Sequence, residues 1–376
     1  MALTNIRLGD YIERSTANNK DLLYGNEFIV GVNSQGVFTS PKGNTDGVDL
    51  QPYKIVNNGA FVYTPTRINL GSIAYRTQGL CLVSHLYIVF YLNVEGKKII
   101  NPIWLYMYLR RKEFGREIDF RLFGSARPEF SFSDISDTII PLPDIEIQNK
   151  YVSIYNAMIA NQQSYERGLE DLRIVFEGEL DKLRKTEELK AIRPYISLVE
   201  TRNDDLKYGL DSVRGVSIEK KFIDTKADME GVNLKPYYIV SPNEFAYVTV
   251  TSRNGEKISL ALNDTGEPII CSSSYVVFQS KDEKKLLPQY LMLYFSRSEF
   301  NRYARFHSWG SARETFNYED MCDVEIPIPD ISVQKAIAEI FTAYNMRKQI
   351  NERLKAQIKD LCPILVKGAV EEGEKT

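Results

Sequence analysis

FGREIDFRLFGSARPEFSFSDISDTIIPLP, at Phe114–Pro143, recurs as FNRYARFHSWGSARETFNYEDMCDVEIPIP at Phe300–Pro329. The two copies align along their whole length without a gap. Self-similarity at a fixed spacing is typical of repeated architectures, so this stretch predicts two like modules that carry out the same task. A two-fold function is therefore sought before any single active site.

The duplication extends beyond this stretch in both directions. Upstream, PYKIV at Pro52–Val56 matches PYYIV at Pro236–Val240, at nearly the same spacing. Downstream, PLPDI ending at Ile145 and PIPDI ending at Ile331 each come before a long helical pattern. These matches predict four segments: a first module at 1–145, a central helix at 146–193, a second module at 194–331 and a C-terminal helix at 332–376.

Each module is predicted to be an α+β domain. Stretches rich in Val, Ile, Tyr and Phe and bounded by Gly, Asn or Pro are typical of strands, and they occur at Val56–Tyr63, Gly79–Tyr91, Phe245–Val250 and Ile269–Gln279. Pro102–Lys112 and Pro288–Ser298 begin with proline and have helical spacing of large apolar residues, which predicts a helix after the strands in both copies.

The two long helices show the apolar spacing of a coiled coil. Apolar residues follow one another in steps of three and four, interrupted by polar residues at Gln162 and Asn351. Because the modules are repeats, we expect the helices to pair with each other antiparallel. The alternative is two ordinary amphipathic helices that each lie on their own module. The predicted partner-binding residues are Leu169, Leu172, Phe176, Leu180, Leu354, Ile358 and Leu361.

Composition favours a cytoplasmic protein that is not a metalloenzyme. The chain is 43% hydrophobic and 26% charged, and no apolar run approaches the length of about 18 residues that a membrane span requires. The beginning MALTNIRLGDYIE lacks the pattern of a signal peptide. The four cysteines have no paired spacing, which predicts reduced thiols, and two histidines give little support to metal or His-based catalysis.

Charge is distributed unevenly along the chain. The net charge of −3 does not favour a protein that coats nucleic acid in general. However, Lys97–Arg127 has eight basic and three acidic residues, and Lys281–Arg313 has seven basic and three acidic residues. A solvated charged face could explain one such stretch, but its recurrence in both modules favours an anionic partner. Arg121 and Arg305 are candidate DNA contacts within these stretches.

Both copies contain the same tetrapeptide Gly-Ser-Ala-Arg, at Gly124–Arg127 and Gly310–Arg313. A flexible glycine, a hydroxyl group, a small residue and an arginine suit close contact with phosphate or guanine. The predicted DNA-binding residues of these loops are Ser125, Arg127, Ser311 and Arg313. The alternative is a structural turn whose arginine pairs with a nearby acid.

A second pair of candidate DNA contacts comes after an aromatic strand in each module. Arginine and asparagine, which suit guanine and adenine edges, occur at Arg67, Asn69, Arg253 and Asn254. A plain hairpin turn is the alternative. Between these positions the modules diverge, as in Asn33–Asp49 against Ser212–Asp228, which would let each module read a different sequence.

The chain resembles the specificity subunit of Type I restriction-modification systems over essentially its whole length. The resemblance rests on two target recognition domains, each followed by a long helix, and on the Gly-Ser-Ala-Arg loops, the Ile-Pro-Leu/Ile-Pro-Asp-Ile helix starts and the glutamines that follow, Gln148 and Gln334. The family implies that each domain reads one half of a bipartite, asymmetric site in double-stranded DNA, and that the paired helices fix the gap.

The same resemblance implies partners and places catalysis outside this chain. Two modification (methyltransferase) subunits would bind the helices and adjoining surfaces, and two restriction (translocase-nuclease) subunits could join. We expect no cofactor in this chain, and S-adenosylmethionine, ATP and Mg in the partner subunits. The sequence favours no catalytic residue: Asn101–Trp104 lacks the second proline of a methyltransferase motif, and no phosphate-binding loop occurs.

Two other hypotheses remain open. The chain could be a coiled-coil scaffold that binds only proteins, or the recognition half of a split or fused restriction enzyme. The basic stretches separate the first of these from a DNA reader, because a protein scaffold has no need of them.

Overall fold

The computed structural model describes residues 3–41, 43–124, 128–225, 227–251, 257–310 and 313–375. The chain divides into two compact units. The first combines Met1–Tyr165 with Ile350–Thr376, and the second is Glu166–Gln349. Each unit therefore holds one repeat module together with part of both long helices, which differs from the four consecutive segments predicted from the sequence.

Short strands and helices form the module of the first unit. They are β1 (Thr4–Arg7), β2 (Ile12–Arg14), β3 (Gly31–Val32), β4 (Phe38–Thr39), β5 (Lys54–Val56), β6 (Phe61–Tyr63), β7 (Ile73–Tyr75), β8 (Cys81–Val83), β9 (Ile88–Leu92), α1 (Gly96–Ile99), α2 (Pro102–Leu109), α3 (Lys112–Arg121), α4 (Phe132–Ser136) and β10 (Ile139–Leu142). The first long helix, α5 (Ile145–Thr186), follows.

The second module repeats this order of elements, apart from α1, before the second long helix. They are β11 (Leu189–Ala191), β12 (Ile196–Leu198), β13 (Arg214–Val216), β14 (Phe222–Asp224), β15 (Tyr238–Val240), β16 (Phe245–Val248), β17 (Leu260–Leu262), β18 (Ile269–Cys271), β19 (Tyr275–Ser280), α6 (Pro288–Ser296), α7 (Ser298–Phe306), α8 (Tyr318–Cys322), β20 (Glu325–Pro327) and α9 (Ile331–Lys375).

The two modules have the same sheet topology. A four-stranded antiparallel sheet runs β2-β9-β6-β7 in the first and β12-β19-β16-β17 in the second. Two-stranded pairs accompany each sheet, β1-β10, β3-β4 and β5-β8 in the first module and β11-β20, β13-β14 and β15-β18 in the second. The matching strand orders confirm the prediction of two repeated α+β domains.

Several predicted strands are divided in the structure. Gly79–Tyr91 forms β8 and β9, separated by a turn in which the Tyr87 backbone amide donates to the Ser84 carbonyl at 3.0 Å. The division is needed because β8 pairs with β5, whereas β9 pairs with β2 and β6. Val56–Tyr63 and Ile269–Gln279 are divided for the same reason, because their two ends also pair with different strands.

Stacked aromatic rings occupy equivalent places in the two cores. The rings of Phe61 and Phe90 are 4.9 Å apart, and those of Phe245 and Phe278 are 4.8 Å apart, with 7° between the ring planes in both pairs. All four side chains are fully buried. Burial of an aromatic side chain contributes about 1.5–3 kcal/mol, so these pairs help to hold each sheet against its helices.

A buried glutamine fixes the start of each long helix to its own module. The Gln148 amide oxygen accepts from the Asn101 backbone amide at 2.8 Å, and its nitrogen donates to the carbonyls of Ile99, at 2.8 Å, and Pro143, at 2.7 Å. All three bonds go to backbone groups just before α2 or just before α5. This side chain therefore ties the first turn of α5 to the module.

The second module has the same arrangement. Gln334 accepts from the Leu287 backbone amide at 2.9 Å and donates to the carbonyls of Lys285 and Pro329, both at 2.8 Å. Both glutamines are completely buried. Since a buried amide must have partners, these contacts explain why the glutamine occurs at the same place after both Pro-Asp-Ile sequences.

Within each unit, segments of α5 and α9 pack against each other. In the first unit, Lys150 forms an ion pair with Glu372 at 2.8 Å and Gln162 hydrogen-bonds Asn351 at 2.8 Å. Residue numbers rise along α5 as they fall along α9, so these segments are antiparallel, as predicted. In the second unit, the Phe176 ring lies 5.6 Å from that of Phe341.

The first long helix is shorter than predicted. It ends at Thr186 rather than 193, and the chain then forms β11, whose Lys190 is paired with Ile326 of β20. Glu187–Lys190 contains good helix formers, so the helix ends there because the chain pairs with β20 instead. The pairing of β11 with β20 repeats that of β1 with β10 in the first module.

Candidate nucleic-acid interface

The predicted Gly-Ser-Ala-Arg loops begin just beyond the helices α3 and α7. Their glycines have positive φ, +84° at Gly124 and +137° at Gly310. A Cβ atom added to Gly310 would lie 2.4 Å from the Arg313 carbonyl oxygen. Both positions therefore need glycine for backbone reasons, whatever the loop binds.

The loop of the second module is held in place by backbone hydrogen bonds. The backbones of Trp309 and Thr315 hydrogen-bond each other in both directions, at 3.1 and 2.9 Å, which joins the two ends of the loop. The Phe316 amide then donates to the Thr249 carbonyl at 2.9 Å, just after β16. The C-terminal end of the loop is thus tied to the chain just beyond β16, an inner strand of the module's main sheet.

The first module has a matching anchor, where the Phe130 amide donates to the Pro65 carbonyl at 3.0 Å, just after β6. Arg313, which belongs to the anchored loop of the second module, is exposed. The other predicted contacts of these loops and of the second turn lie outside the described residues; these are Ser125, Arg127, Arg253, Asn254 and Ser311.

Arg121 and Arg305 each have an acidic neighbour within their own module. Arg121 pairs with Glu117, one helical turn earlier, and lies 3.4 Å from both the Thr138 hydroxyl and the Asp134 carbonyl. Arg305 pairs with Glu314 of the adjoining loop. Ion pairs at such partly exposed sites contribute about 0.2–1 kcal/mol, little enough for phosphate to compete for the arginine.

Asn69 brings the first predicted turn against helix α3. Its side chain donates to the Asp119 carboxylate at 2.7 Å. The backbone also approaches α3 closely, because a Cβ on Gly115 would lie 2.4 Å from the Asn69 carbonyl oxygen. The turn and α3 are therefore one surface, and in this structure the Asn69 amide is engaged by a carboxylate of the same module.

Arg67 lies at the other end of this turn, where it lines a cleft of about 580 Å³. Much of the remaining lining belongs to the divergent segment Asn33–Asp49, and Tyr87 also contributes. An exposed arginine is thus placed beside the segment that differs most between the modules. The cleft brings together Arg67 and the divergent segment, which the sequence had indicated only separately.

The divergent segment of the first module is anchored through Gly36. Its carbonyl accepts from the Tyr106 hydroxyl at 3.1 Å, and Arg110 donates to the same hydroxyl at 2.8 Å. Gly36 has a φ of +71°, and an added Cβ would lie 2.4 Å from the Arg110 side chain. Helix α2 is therefore followed by a cation that lies under this turn.

In the second module, the cation at the corresponding turn belongs to a residue of the turn itself. Lys220, which occupies the place of Gly36 in the repeat, has a φ of +60°, and its ammonium group donates to the Ile258 carbonyl at 2.9 Å. The group also lies 5.2 Å from the centre of the Phe300 ring. Burial lowers the pKa of Lys220 to about 7. Sequence inspection missed this residue, since a lysine between Glu219 and Lys221 looks like an ordinary surface residue.

Sequence inspection also missed a pair of loops, one in each module, that are closed by an asparagine side chain. The Asn19 side chain bonds both backbone groups of Tyr24, at 2.9 and 3.2 Å, and Asn203 does the same to Tyr208, at 2.8 and 3.1 Å. Each loop contains an exposed leucine with positive φ, +50° at Leu22 and +52° at Leu206. The spacing Asn-x-x-Leu-x-Tyr, present in both modules, is the signal that could have revealed them.

The predicted partner-binding residues on the long helices differ in exposure. Phe176 and Leu180 are buried in the core of the second unit, where Phe176 also contacts Tyr344. Leu361 is exposed. The remaining four are Leu169, Leu172, Leu354 and Ile358, which are partly buried.

In the part of the chain that the structure describes, no group of three His, Cys, Asp or Glu side chains is placed to hold a metal ion. Among the same residues, no helix combines the length and the apolar character that crossing a membrane requires.

Comparison with known families gives one match that covers most of the chain. The family model described as Type I restriction modification DNA specificity domain matches twice, at residues 5–172 and 182–360. Each match covers one module and the first part of the long helix that follows it. No curated protein matches the sequence.

Solved structures of low sequence identity are also similar. A Type-I restriction-modification system S subunit from M. genitalium aligns with a TM-score of 0.59 at 10% identity, covering 98% of this chain and 96% of that one, which shows a shared fold. The HsdS subunit from Thermoanaerobacter tengcongensis aligns at 14% identity with a TM-score of 0.39 over 98% and 96% of the two chains. A chain from a study of assembly of the type I R-M system aligns at 14% identity with a TM-score of 0.48 over 98% and 97%.

Proposed function

The chain belongs to the family of Type I restriction-modification DNA specificity domains, and from this membership we propose that each of its two modules reads one half of a bipartite DNA site. The family's role is recognition of DNA sequence. In this proposal the first module and the second module each contact about one half-site in double-stranded DNA, and the sequence between the half-sites is not read.

The observation that supports the proposal is that the two modules share one fold but differ in their loops. Both modules have the same strand order, the same buried glutamine at the helix start and the same Gly-Ser-Ala-Arg loop. The modules differ in the segments Asn33–Asp49 and Ser212–Asp228, and residues of the first segment line the cleft at Arg67. A common frame with different reading surfaces is what an asymmetric, two-part site requires.

Arginines beside this surface would supply the contacts to DNA. Arg67 and Arg313 are exposed, and Arg121 and Arg305 have only weak intramolecular ion pairs to give up. Arginine binds phosphate and guanine with two parallel hydrogen bonds, which makes it suitable for both positioning and base reading. The long helices α5 and α9 would act as the spacer that sets the gap between the half-sites.

Catalysis would belong to partner subunits. We propose that two modification (methyltransferase) subunits bind this chain and that restriction (translocase-nuclease) subunits join them, with S-adenosylmethionine, ATP and Mg bound by those partners. Such a complex would act on the cell's own and incoming DNA, which implies a cytoplasmic location. This chain would select where the partners act.

Affinity selection from a random DNA library tests the proposal. The chain, assembled with its modification subunit, is incubated with random duplexes, and the bound fraction is sequenced. The proposal predicts enrichment of two short motifs separated by a fixed, unread gap. Enrichment of a single continuous motif, or of none, would contradict it, and the absence of DNA binding by an intact complex would favour a scaffold that binds only proteins.

A further inference from the structure

Four aromatic side chains are exposed at matching places in the two modules. Phe120 and Phe123 are 83% and 91% exposed, and Phe306 and Trp309 are 73% and 62% exposed. In the alignment of the two copies, Phe306 stands opposite Phe120 and Trp309 stands opposite Phe123. The exposed pair is thus a repeated feature and not an accident of one surface.

Exposure of these rings is costly for an isolated protein. Other large rings of the same segments, such as Phe114 and Phe300, are buried. Burial of a phenylalanine or tryptophan side chain contributes about 1.5–3 kcal/mol, and neighbouring exposed apolar groups are typical of interaction sites. Two rings per module remain unburied although the copies differ at many other positions, so a partner is needed to explain them.

Hydrogen bonds hold the backbone at the positions that carry these rings. Phe120 is near the end of α3, and the Phe123 amide donates to its carbonyl at 3.3 Å, which continues the helical turn. Residues three apart on a helical turn point to one side. Trp309 is held by its two backbone hydrogen bonds to Thr315. Both pairs come directly before the glycine of the Gly-Ser-Ala-Arg loop.

The charge around these rings identifies the class of partner. Each pair lies within a basic stretch, Lys97–Arg127 with five and Lys281–Arg313 with four more basic than acidic residues. Arg121 directly follows Phe120, and Arg305 directly precedes Phe306. An anionic partner that offers flat or methyl-bearing apolar groups fits this combination, and duplex DNA has both.

We propose that Phe120, Phe123, Phe306 and Trp309 contact bases of the bound duplex, one pair in each half-site. This inference rests on the proposed function and adds to it an apolar component of recognition. Aromatic rings that approach a duplex can contact thymine methyl groups in the major groove or press against a base step that the protein unstacks. Arginines on the same surface bind the phosphates, and the rings contact the bases.

The two tryptophans of the chain provide a direct readout. Trp309 is largely exposed, whereas Trp104 is fully buried and serves as an internal control. Replacing tryptophan by 5-hydroxytryptophan in this chain alone gives a fluorophore that is excited separately from the tryptophans of the modification subunits. Acrylamide quenching is then measured for the assembled complex, without DNA and with a duplex that carries the selected motif. The variant Trp309→Phe isolates the signal of position 104.

We expect acrylamide to quench position 309 in the DNA-free complex and to quench it at least about threefold less once DNA is bound. Phe123→Ala and Trp309→Ala should each lower DNA affinity about tenfold, equivalent to about 1.4 kcal/mol. Val94→Ala, which also removes an exposed apolar side chain (71% exposed), should leave the affinity unchanged.

Two results would overturn the inference while leaving the proposed function intact. One is that position 309 stays accessible in a complex whose fluorescence anisotropy shows bound DNA. The other is that the modification subunits protect it before DNA is added, which would identify the rings as a protein contact. A complex that binds no duplex at all would overturn the inference and the proposed function together.

Discussion

Gln162 on α5 donates a hydrogen bond of 2.8 Å to the side-chain oxygen of Asn351 on α9, and both side chains are almost fully buried between the helices. Both residues interrupt an apolar seam. A buried polar pair in a coiled coil favours the one alignment in which the two groups meet. The pair therefore specifies how the antiparallel helices of the first unit are aligned.

Replacing one member of this pair should destabilise the first unit more than replacing both. Asn351→Leu removes a partner of the buried Gln162 amide and should cost about 1–3 kcal/mol, because a buried polar group is then left short of a hydrogen bond. The double variant Gln162→Leu/Asn351→Leu should recover most of this loss. Urea unfolding of all four proteins in a double-mutant cycle measures the coupling, and strictly additive effects would contradict a direct interaction.

Gln148 should be the most sensitive polar position at the start of α5. Gln148→Ala leaves one buried backbone amide and two carbonyls without their partner, which should lower the free energy of unfolding by about 2–4 kcal/mol. Gln163→Ala, at an exposed position of the same helix, is the matched control and should change stability by less than about 0.5 kcal/mol. Equal urea midpoints for the two variants would show that the buried hydrogen bonds do not hold the helix to the module.

The stability contribution of Lys220 should depend on pH. Its pKa is about 7 in the folded chain, whereas lysine in the unfolded chain titrates near 10.5, so the unfolded chain binds more protons between these values. The cost of burying the charge is complete below pH 7 and is lost as the pH rises toward 10.5. Any stability that Lys220→Met gains over the native chain should therefore be larger at pH 6 than at pH 9, by about 2–3 kcal/mol.

Lys221→Met is the control for this effect, because Lys221 is exposed beside Lys220. Thermal unfolding at pH 6, 7.5 and 9 compares the three proteins. A stability difference between Lys220→Met and the native chain that stays constant with pH would show that Lys220 keeps its ordinary pKa.

Arg313 should contribute to DNA affinity through a direct contact. Arg313→Ala is expected to weaken binding of the selected duplex by about 1–3 kcal/mol, and Arg127→Ala should do the same for the first module. If the contact is to phosphate, the slope of log affinity against log salt should fall by about one in magnitude. Arg167→Ala, at an exposed position on α5, is the control. Unchanged affinity of both loop variants would remove the Gly-Ser-Ala-Arg loops from the interface.

Lengthening both long helices should change the gap between the two half-sites and leave the half-sites themselves unchanged. Seven residues inserted after Tyr165, matched by seven before Ile350, keep the heptad pattern and lie where the two units divide. Seven residues add about 10.5 Å of helix, close to three base pairs at about 3.4 Å each. Selection from a random library should return the same half-sites with a gap about three base pairs longer, whereas altered half-sites would contradict the spacer role.

Much of the fold could be predicted because the repeat itself contains the information. The copies around Phe114 and Phe300 define two modules, and the glutamines after each Pro-Asp-Ile mark the helix starts. Division of Gly79–Tyr91 into two strands was not predictable, because the apolar run is continuous and only the choice of pairing partners separates its halves. The end of α5 at Thr186 depends likewise on the distant pairing of β11 with β20.

For the candidate interface, the sequence indicated which residues to consider but not which contacts they make within the chain. The pairing of Arg121 with Glu117 follows from their spacing of four on a helix, but that of Asn69 with Asp119 joins residues far apart in the chain. Phe114 and Phe120 are the same residue type on one helix, yet the first is buried and the second exposed. Residue type alone could not separate core from interface there, because the difference arises from which side of α3 packs on the sheet.

Methylation sequencing of whole genomes is the most direct test of whether each module reads one half-site. Cells that express this chain with its modification subunit are compared with cells that lack only this chain. We expect that a single bipartite motif, with two different half-sites and one fixed gap, becomes methylated only when the chain is present. Methylation that is unchanged by removing the chain, or a continuous motif in place of a divided one, would contradict the assignment of one half-site to each module.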